Sequence, residues 1–176
     1  MFGGIVLAVK KITNSTMVEC KNGVHGPLIY ISSRTAGYMI EWEEFGEVQE
    51  IEYGELVAMR GSQPRFFRDN WILIEDADVL KALGVAQHYR NALTTENFDD
   101  VFSWDAAKIR SDVAKMSDGM KDSIRMRAKE LIKADKIDSR NVIKALNEVL
   151  NCDLEEEVQL DAKKPAKKTV EVTTIK

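Results

Sequence analysis

Apolar and polar positions alternate with a strand period in the first part of this chain and repeat at helical spacing in the second. Between Tyr38 and Trp42, Tyr38, Ile40 and Trp42 fall on one face, with Met39 and Glu41 on the other. Glu44-Phe45-Gly46-Glu47 interrupts the alternation, which resumes from Val48 to Tyr53. The two arms are therefore expected to pair as a hairpin about Phe45-Gly46, with Gly46 free to take a positive φ. The second arm lacks a clean apolar face, because Val48, Glu50 and Glu52 alternate with Gln49, Ile51 and Tyr53. Such an arm predicts a bulge or an edge strand. Gly54 to Arg60 reads as a short helix with Leu56 and Met59 inward and Gly61 as its stop, and Trp71 to Ile74 as a closing strand. Upstream, β-branched content predicts strands at Ile5 to Ile12, Thr16 to Lys21 and Leu28 to Ser32, separated by a turn at Asn14-Ser15 and a loop from Asn22 to Pro27.

Beyond Ile74 the period changes. A short helix from Asp76 to Leu83 has Asp76 as its cap and Gly84 as its stop, and Thr94 or Thr95 can cap a further turn through Phe102. Three longer helices follow at Ser103 to Met116, Ser117 to Asp135, and Asp138 or Ser139 to Asn151, each opened by a capping residue. Their inward stripes are Ile109, Val113 and Met116, then Met120, Ile124, Ala128 and Leu131, then Val142, Ile143, Leu146, Val149 and Leu150. Short links predict antiparallel neighbours. After Leu154 an acidic run, a lysine-rich segment and the β-prone Thr169 to Ile175 predict an extended arm able to add a strand to a neighbouring sheet. The expected fold class is α+β: a small antiparallel β domain (1–75) with one short helix, a helical connector (76–102), a three-helix bundle (103–153) and an extended C-terminal arm (154–176).

Composition narrows this picture without adding chemistry. A 44% apolar share supplies a core, and the apolar runs Gly3 to Val9 and Trp71 to Ile74 fall well short of the roughly 20 residues of a membrane helix. The N-terminus has no positive region ahead of its apolar stretch and no cleavage site, so a signal peptide is not expected. A net charge of -4 argues against a dedicated nucleic-acid binder. Cys20 and Cys152, far apart in sequence, are expected to be free thiols.

No local pattern points to catalysis, a metal or a cofactor. His25 and His88 stand in no ligand spacing, and phosphate-loop, dinucleotide, nucleophile-elbow and zincin motifs are missing. Glu41, Glu43, Glu44 and Glu47 are dense, but carboxylates on an exposed hairpin stay ionised, whereas acid catalysis needs burial to raise the pKa. Arg65-Phe66-Phe67-Arg68 interleaves cations with aromatics as base-stacking surfaces do; the alternative is that both phenylalanines are core and the arginines flank Asp69. Lys121, Arg125, Arg127, Lys129 and Lys133 crowd one helix, interspersed with Asp118, Asp122 and Glu130 as on a solvated face.

Three stretches carry a family resemblance: IEWEEFGEVQEIEYGELVAM (Ile40 to Met59), FFRDNWILIED (Phe66 to Asp76) and GMKDSIRMRAKELIKADKIDSRNVIKALNEVLNCDL (Gly119 to Leu154). In pattern they resemble uncharacterised proteins encoded among the structural genes of tailed bacteriophages, in which a short β domain precedes a small helical one. The chain departs from that pattern in its first fifteen residues and in its tail. The resemblance brings no catalytic residues. It implies a virion or virion-assembly component of the head or head-tail region, made in the host cytoplasm and partnered by other virion proteins or copies of itself. Under that expectation Val48, Ile51 and Tyr53, with Val170, Val172 and Ile175 of the arm, are the candidate partner-binding residues. The competing expectation is a nucleic-acid-binding accessory protein using Arg65, Arg68, Arg125 and Lys129 with the basic tail.

Overall fold

In a computed structural model, residues 11–137 and 139–163 are described. The expected first strand therefore lies outside the described residues, apart from Lys11 and Ile12, which are not in a strand; Val170, Val172 and Ile175 lie outside them too. The architecture is α+β, with a small antiparallel sheet region followed by helices.

Four strands come first: β1 (Met17–Asn22), β2 (Leu28–Ile31), β3 (Met39–Trp42) and β4 (Val48–Glu52). The hairpin expected between β3 and β4 does not form. β3 pairs instead with β2, Leu28 opposite Trp42 and Tyr30 opposite Ile40, and β4 pairs with β1, Val18 opposite Ile51. Alternation fixes which face of a strand is buried but not which strand it joins. Asn22, fully buried, accounts for the choice. Its N–H donates to Glu47 O and its carbonyl accepts from Gly46 N, while Nδ2 donates to Gly26 O and Glu44 O, at 2.8–3.0 Å. Oδ1 accepts from Val24 N. One side chain thus satisfies both the loop after β1 and the turn before β4, and Gly46 takes φ 81° in that turn. The turn carries the chain from one sheet to the other.

Helix α1 (Tyr53–Ser62) follows β4 without a gap, burying Leu56 and Met59. Gly61, expected as the stop, lies inside it; the helix ends at Ser62, and Gln63, at φ -137° and ψ 61°, has left the helical region that a following proline disfavours. Pro64 leads into α2 (Arg65–Arg68) and then β5 (Ile72–Leu73), which pairs with β1 to give a three-stranded sheet of order β4-β1-β5. Inner-face residues Val18, Cys20 and Ile51 meet Tyr30, Trp42, Leu56 and Phe67 in a first core. Trp42 Nε1 donates to Cys20 O at 3.1 Å and Tyr30 OH to Glu55 at 2.6 Å, so both large rings bury their polar ends satisfied.

Helix α3 (Ala77–Leu83) has the ends read from sequence: Asp76 accepts from Asp78 N and Val79 N, and Gly84 takes a left-handed φ of 69°. 3₁₀ turns at Ala86–Tyr89 and Phe98–Ser103 lead to α4 (Ala106–Asp112), capped by Asp105 rather than Ser103. A 3₁₀ turn at Val113–Lys115 continues it, and then come α5 (Asp118–Lys133), capped by Ser117, and α6 (Arg140–Leu150), closed by Asn151 at φ 50°. The expected arm is wrong at its start, because Leu154–Lys163 forms a helix, α7. Leu154 is fully buried, and Glu157 and Asp161, one turn apart, face cations on α5. The helices also interleave rather than stacking in chain order: α4 packs chiefly on α6 and α5 chiefly on α7, with α5 touching α6 as well. Their stripes form a second core that takes in Phe45 and Leu73 from the β region.

The two cores meet at a tight seam. Ser123 Oγ of α5 donates to Gly23 O at 2.7 Å, and a Cβ on Gly119 would lie 2.1 Å from Asp69 O. The seam is closed by backbone-to-helix contact. Among the described residues no helix is long and apolar enough to cross a membrane.

Candidate functional site

Two surfaces of the β region are left open by the described chain. The first is the outer face of the ribbon formed by β2 and β3. Its inner face buries Leu28, Tyr30, Ile40 and Trp42; the opposite positions present Ile29, Ile31, Met39 and Glu41. Ile29 is 49% exposed, Ile31 63% and Met39 55%. Scattered apolar side chains on a surface are ordinary, but three of four outward positions on one two-stranded ribbon make a contiguous patch.

The second is the edge of β4. The uneven pattern that predicted a bulge or an edge resolves, among the described residues, as an edge, since β4 ends the sheet order there and its register with β1 is unbroken from Val48 to Glu52. Of the residues expected to bind a partner there, Val48 is exposed on the outer face, Tyr53 opens α1 half-buried against the first core, and Ile51 is fully buried. Ile51 is thus a core residue, unavailable to a partner. The outer face around β4 is acidic: Glu19 stands directly opposite Glu50, and Glu52 lies beside them.

The cations weighed as nucleic-acid contacts are held within the chain. Arg65 Nε lies 2.6 Å from Asp69 and Arg68 Nε 3.2 Å from the same carboxylate, and Arg65 lies over the Trp71 ring at 4.6 Å. Phe66 and Phe67 are buried, as in the alternative weighed for that tetrapeptide. Arg125 grips Glu157 through two nitrogens, and Lys129 reaches Glu157 at 3.6 Å and Asp161 at 2.5 Å. Hydrogen bonding to Glu157 raises the Arg125 pKa. A phosphate would have to displace carboxylates already in place.

One further cluster of titratable groups comes together, in which Arg127 pairs with both Asp99 and Glu130 beside His25. His25 stacks on Phe45 at 4.5 Å and lies 5.2 Å from Phe98; burial lowers its pKa, opposed by Glu130, whose carboxylate is 3.9 Å from Nδ1. It lines a groove of about 600 Å³ that also takes in Glu44, Asp99 and Arg127. A second groove, about 500 Å³, runs along the seam past Val24, Leu28, Trp71 and Met126. Glu55 is buried against Tyr30, with Arg34 4.0 Å away; burial first, and then the hydrogen bond to Glu55, drives the Tyr30 phenol pKa upward. Cys20 and Cys152 are both free; burial pushes both thiols up, Cys20 far up, which leaves neither as a ready thiolate. Among the described residues no group of three or more His, Cys, Asp or Glu side chains could hold a metal ion. Glu41, Glu43 and Glu44 lie on the surface, and Glu47 binds its own neighbourhood, accepting from Glu43 N and from Gln49 Nε2.

The ribbon face could not be read from sequence as a site, because Ile29, Ile31 and Met39 look like ordinary strand residues until their strand partner is known. The chain matches no protein-family model, no curated protein and no solved structure.

Proposed function

We propose that this protein is a non-enzymatic structural or assembly component of a tailed-phage virion, in its head or head-tail region, acting through protein contacts and exchange of its C-terminal arm. The phage context comes from the sequence resemblance of Ile40 to Met59, Phe66 to Asp76 and Gly119 to Leu154. The observation that carries the protein-contact reading is the outer face of the β2–β3 ribbon, where Ile29, Ile31 and Met39 lie open while every residue behind them is buried. Another protein of the particle is the occupant this surface fits: apolar and bordered by the carboxylate of Glu41. Arg65, Arg68, Arg125 and Lys129 each pair with a carboxylate of the same chain, which favours the protein-contact reading over the nucleic-acid one.

Purified particles test this. The protein should be present in them at a fixed copy number, and the full chain carrying Ile31→Lys and Met39→Lys should melt at the wild-type temperature yet drop out of particles. Absence of the wild-type protein from particles overturns the reading. Normal incorporation of the double variant removes the ribbon face from it.

A further inference from the structure

We propose that the open edge of β4 receives residues 169–175 of a second copy of this chain as an added strand, guided there by lysines. Tyr53 N donates to Thr16 O at 2.8 Å, and the register with β1 is regular. Peptide groups in an antiparallel strand point alternately to either side, so those of Tyr53, Ile51 and Gln49 face β1. Those of Val48, Glu50 and Glu52 point the other way, where no strand pairs among the described residues. An edge of this kind is a template for another strand.

Its charge says which strand. Glu50 sits opposite Glu19, a like-charged cross-strand pair that costs stability until a cation approaches. Glu52 extends the same face, and Glu43 and Glu44 lie on the nearby turn. Carboxylates repel acidic strands from an edge and attract a cationic one. The chain beyond α7 has that character. Pro165 cannot continue a helix, Lys164, Lys167 and Lys168 follow Lys163, and Thr169-Val170-Glu171-Val172-Thr173-Thr174-Ile175 is rich in β-branched residues. The strand starts six residues after Lys163, so the link spans up to roughly 20 Å when extended, which reaches a second copy whose β4 edge lies close to the end of α7. Val48, exposed on the outer face, gives Val170 and Val172 an apolar landing point.

This rests on the assembly reading only in taking a second copy as the partner. Solution mass and incorporation into particles are separate measurements, so either idea can fail alone. The test uses two full-chain charge variants, E50K/E52K and K164E/K167E/K168E, whose positions are exposed on β4 or lie beyond α7. Light scattering should show wild-type mass rising with concentration at low salt and returning to the monomer in roughly 1 M salt, where the Debye length is about 3 Å. Each variant alone should stay monomeric, and an equimolar mixture should associate again, since acidic arms then meet basic edges. A wild type that is monomeric at every concentration overturns the proposal, as does a mixture no larger than its components. Slow amide exchange at Val48, Glu50 and Glu52 that persists in K164E/K167E/K168E also overturns it and assigns the edge to another strand of the same chain.

Discussion

Helices α6 and α7 are close in sequence, 11 and 10 residues long, and both join the second core. They are held in different ways. α6 buries Val142, Ile143, Ala145 and Leu146 and packs Val149 and Leu150 partly against the same core. α7 buries Leu154 alone, leaves Leu160 half exposed, and is fastened to α5 by Glu157 and Asp161 on Arg125 and Lys129. Apolar burial contributes roughly 25 cal/mol per Å² whatever the ionic strength, whereas partly exposed ion pairs contribute about 1 kcal/mol or less and weaken with salt. The first helix is therefore part of the global fold, and the second is a unit able to open locally.

Leu146→Ala should show the larger effect. Leu146 is fully buried in the second core, where α6 packs chiefly on α4, so truncation leaves a cavity between the two helices. The loss should fall in the upper part of the roughly 2–5 kcal/mol range for buried leucines, read from denaturant midpoints with an unchanged slope. A loss under about 1 kcal/mol would mean that α6 is no better anchored than α7, and the contrast would collapse.

The contrast also explains what could be read in advance. The α6 stripe repeats at helical spacing, so its existence, ends and inward face followed from periodicity, as did those of α3 through Asp76 and Gly84. α7 has almost no stripe. Its helical state depends on Arg125 and Lys129, some thirty residues earlier, lying within reach of Glu157 and Asp161. A window of local sequence holds no such information, and on its own the acidic run predicts the start of an extended arm. β3 and β4 repeat the lesson in strands: their faces were legible and their partners were not, since Asn22, two turns away, decides the pairing. The candidate site was legible to the same degree. The edge character of β4 came from Val48 to Glu52 itself, but the ribbon face needed the β2–β3 register.

Leu154→Ala sharpens the comparison, because it removes a leucine as buried as Leu146 from a helix with little else apolar. If α7 opens as a unit, the cost cannot exceed the free energy of that opening plus the loss of local contacts. It should sit at or below about 2 kcal/mol, the low end for Leu→Ala. Amides of α7 should exchange faster while those of α6 keep their protection. Equal acceleration in both helices would show that they unfold together.

The smallest effect is expected from Glu157→Gln, and it separates the two attachments most cleanly. The substitution keeps side-chain size but removes the charge that Arg125 and Lys129 share, leaving Asp161 as the remaining partner of Lys129 among those pairs. With the Arg125 side chain 41% exposed, water screens the pair, so the cost should be about 1 kcal/mol or less. It should appear as faster exchange across α7 at low salt, with little change in global melting. Raising salt to roughly 1 M should bring the wild type to the variant's exchange rate, since screening then removes what the substitution removed. A salt-independent difference between the two proteins would mean that Glu157 holds α7 by packing rather than charge, and α7 would then belong with α6.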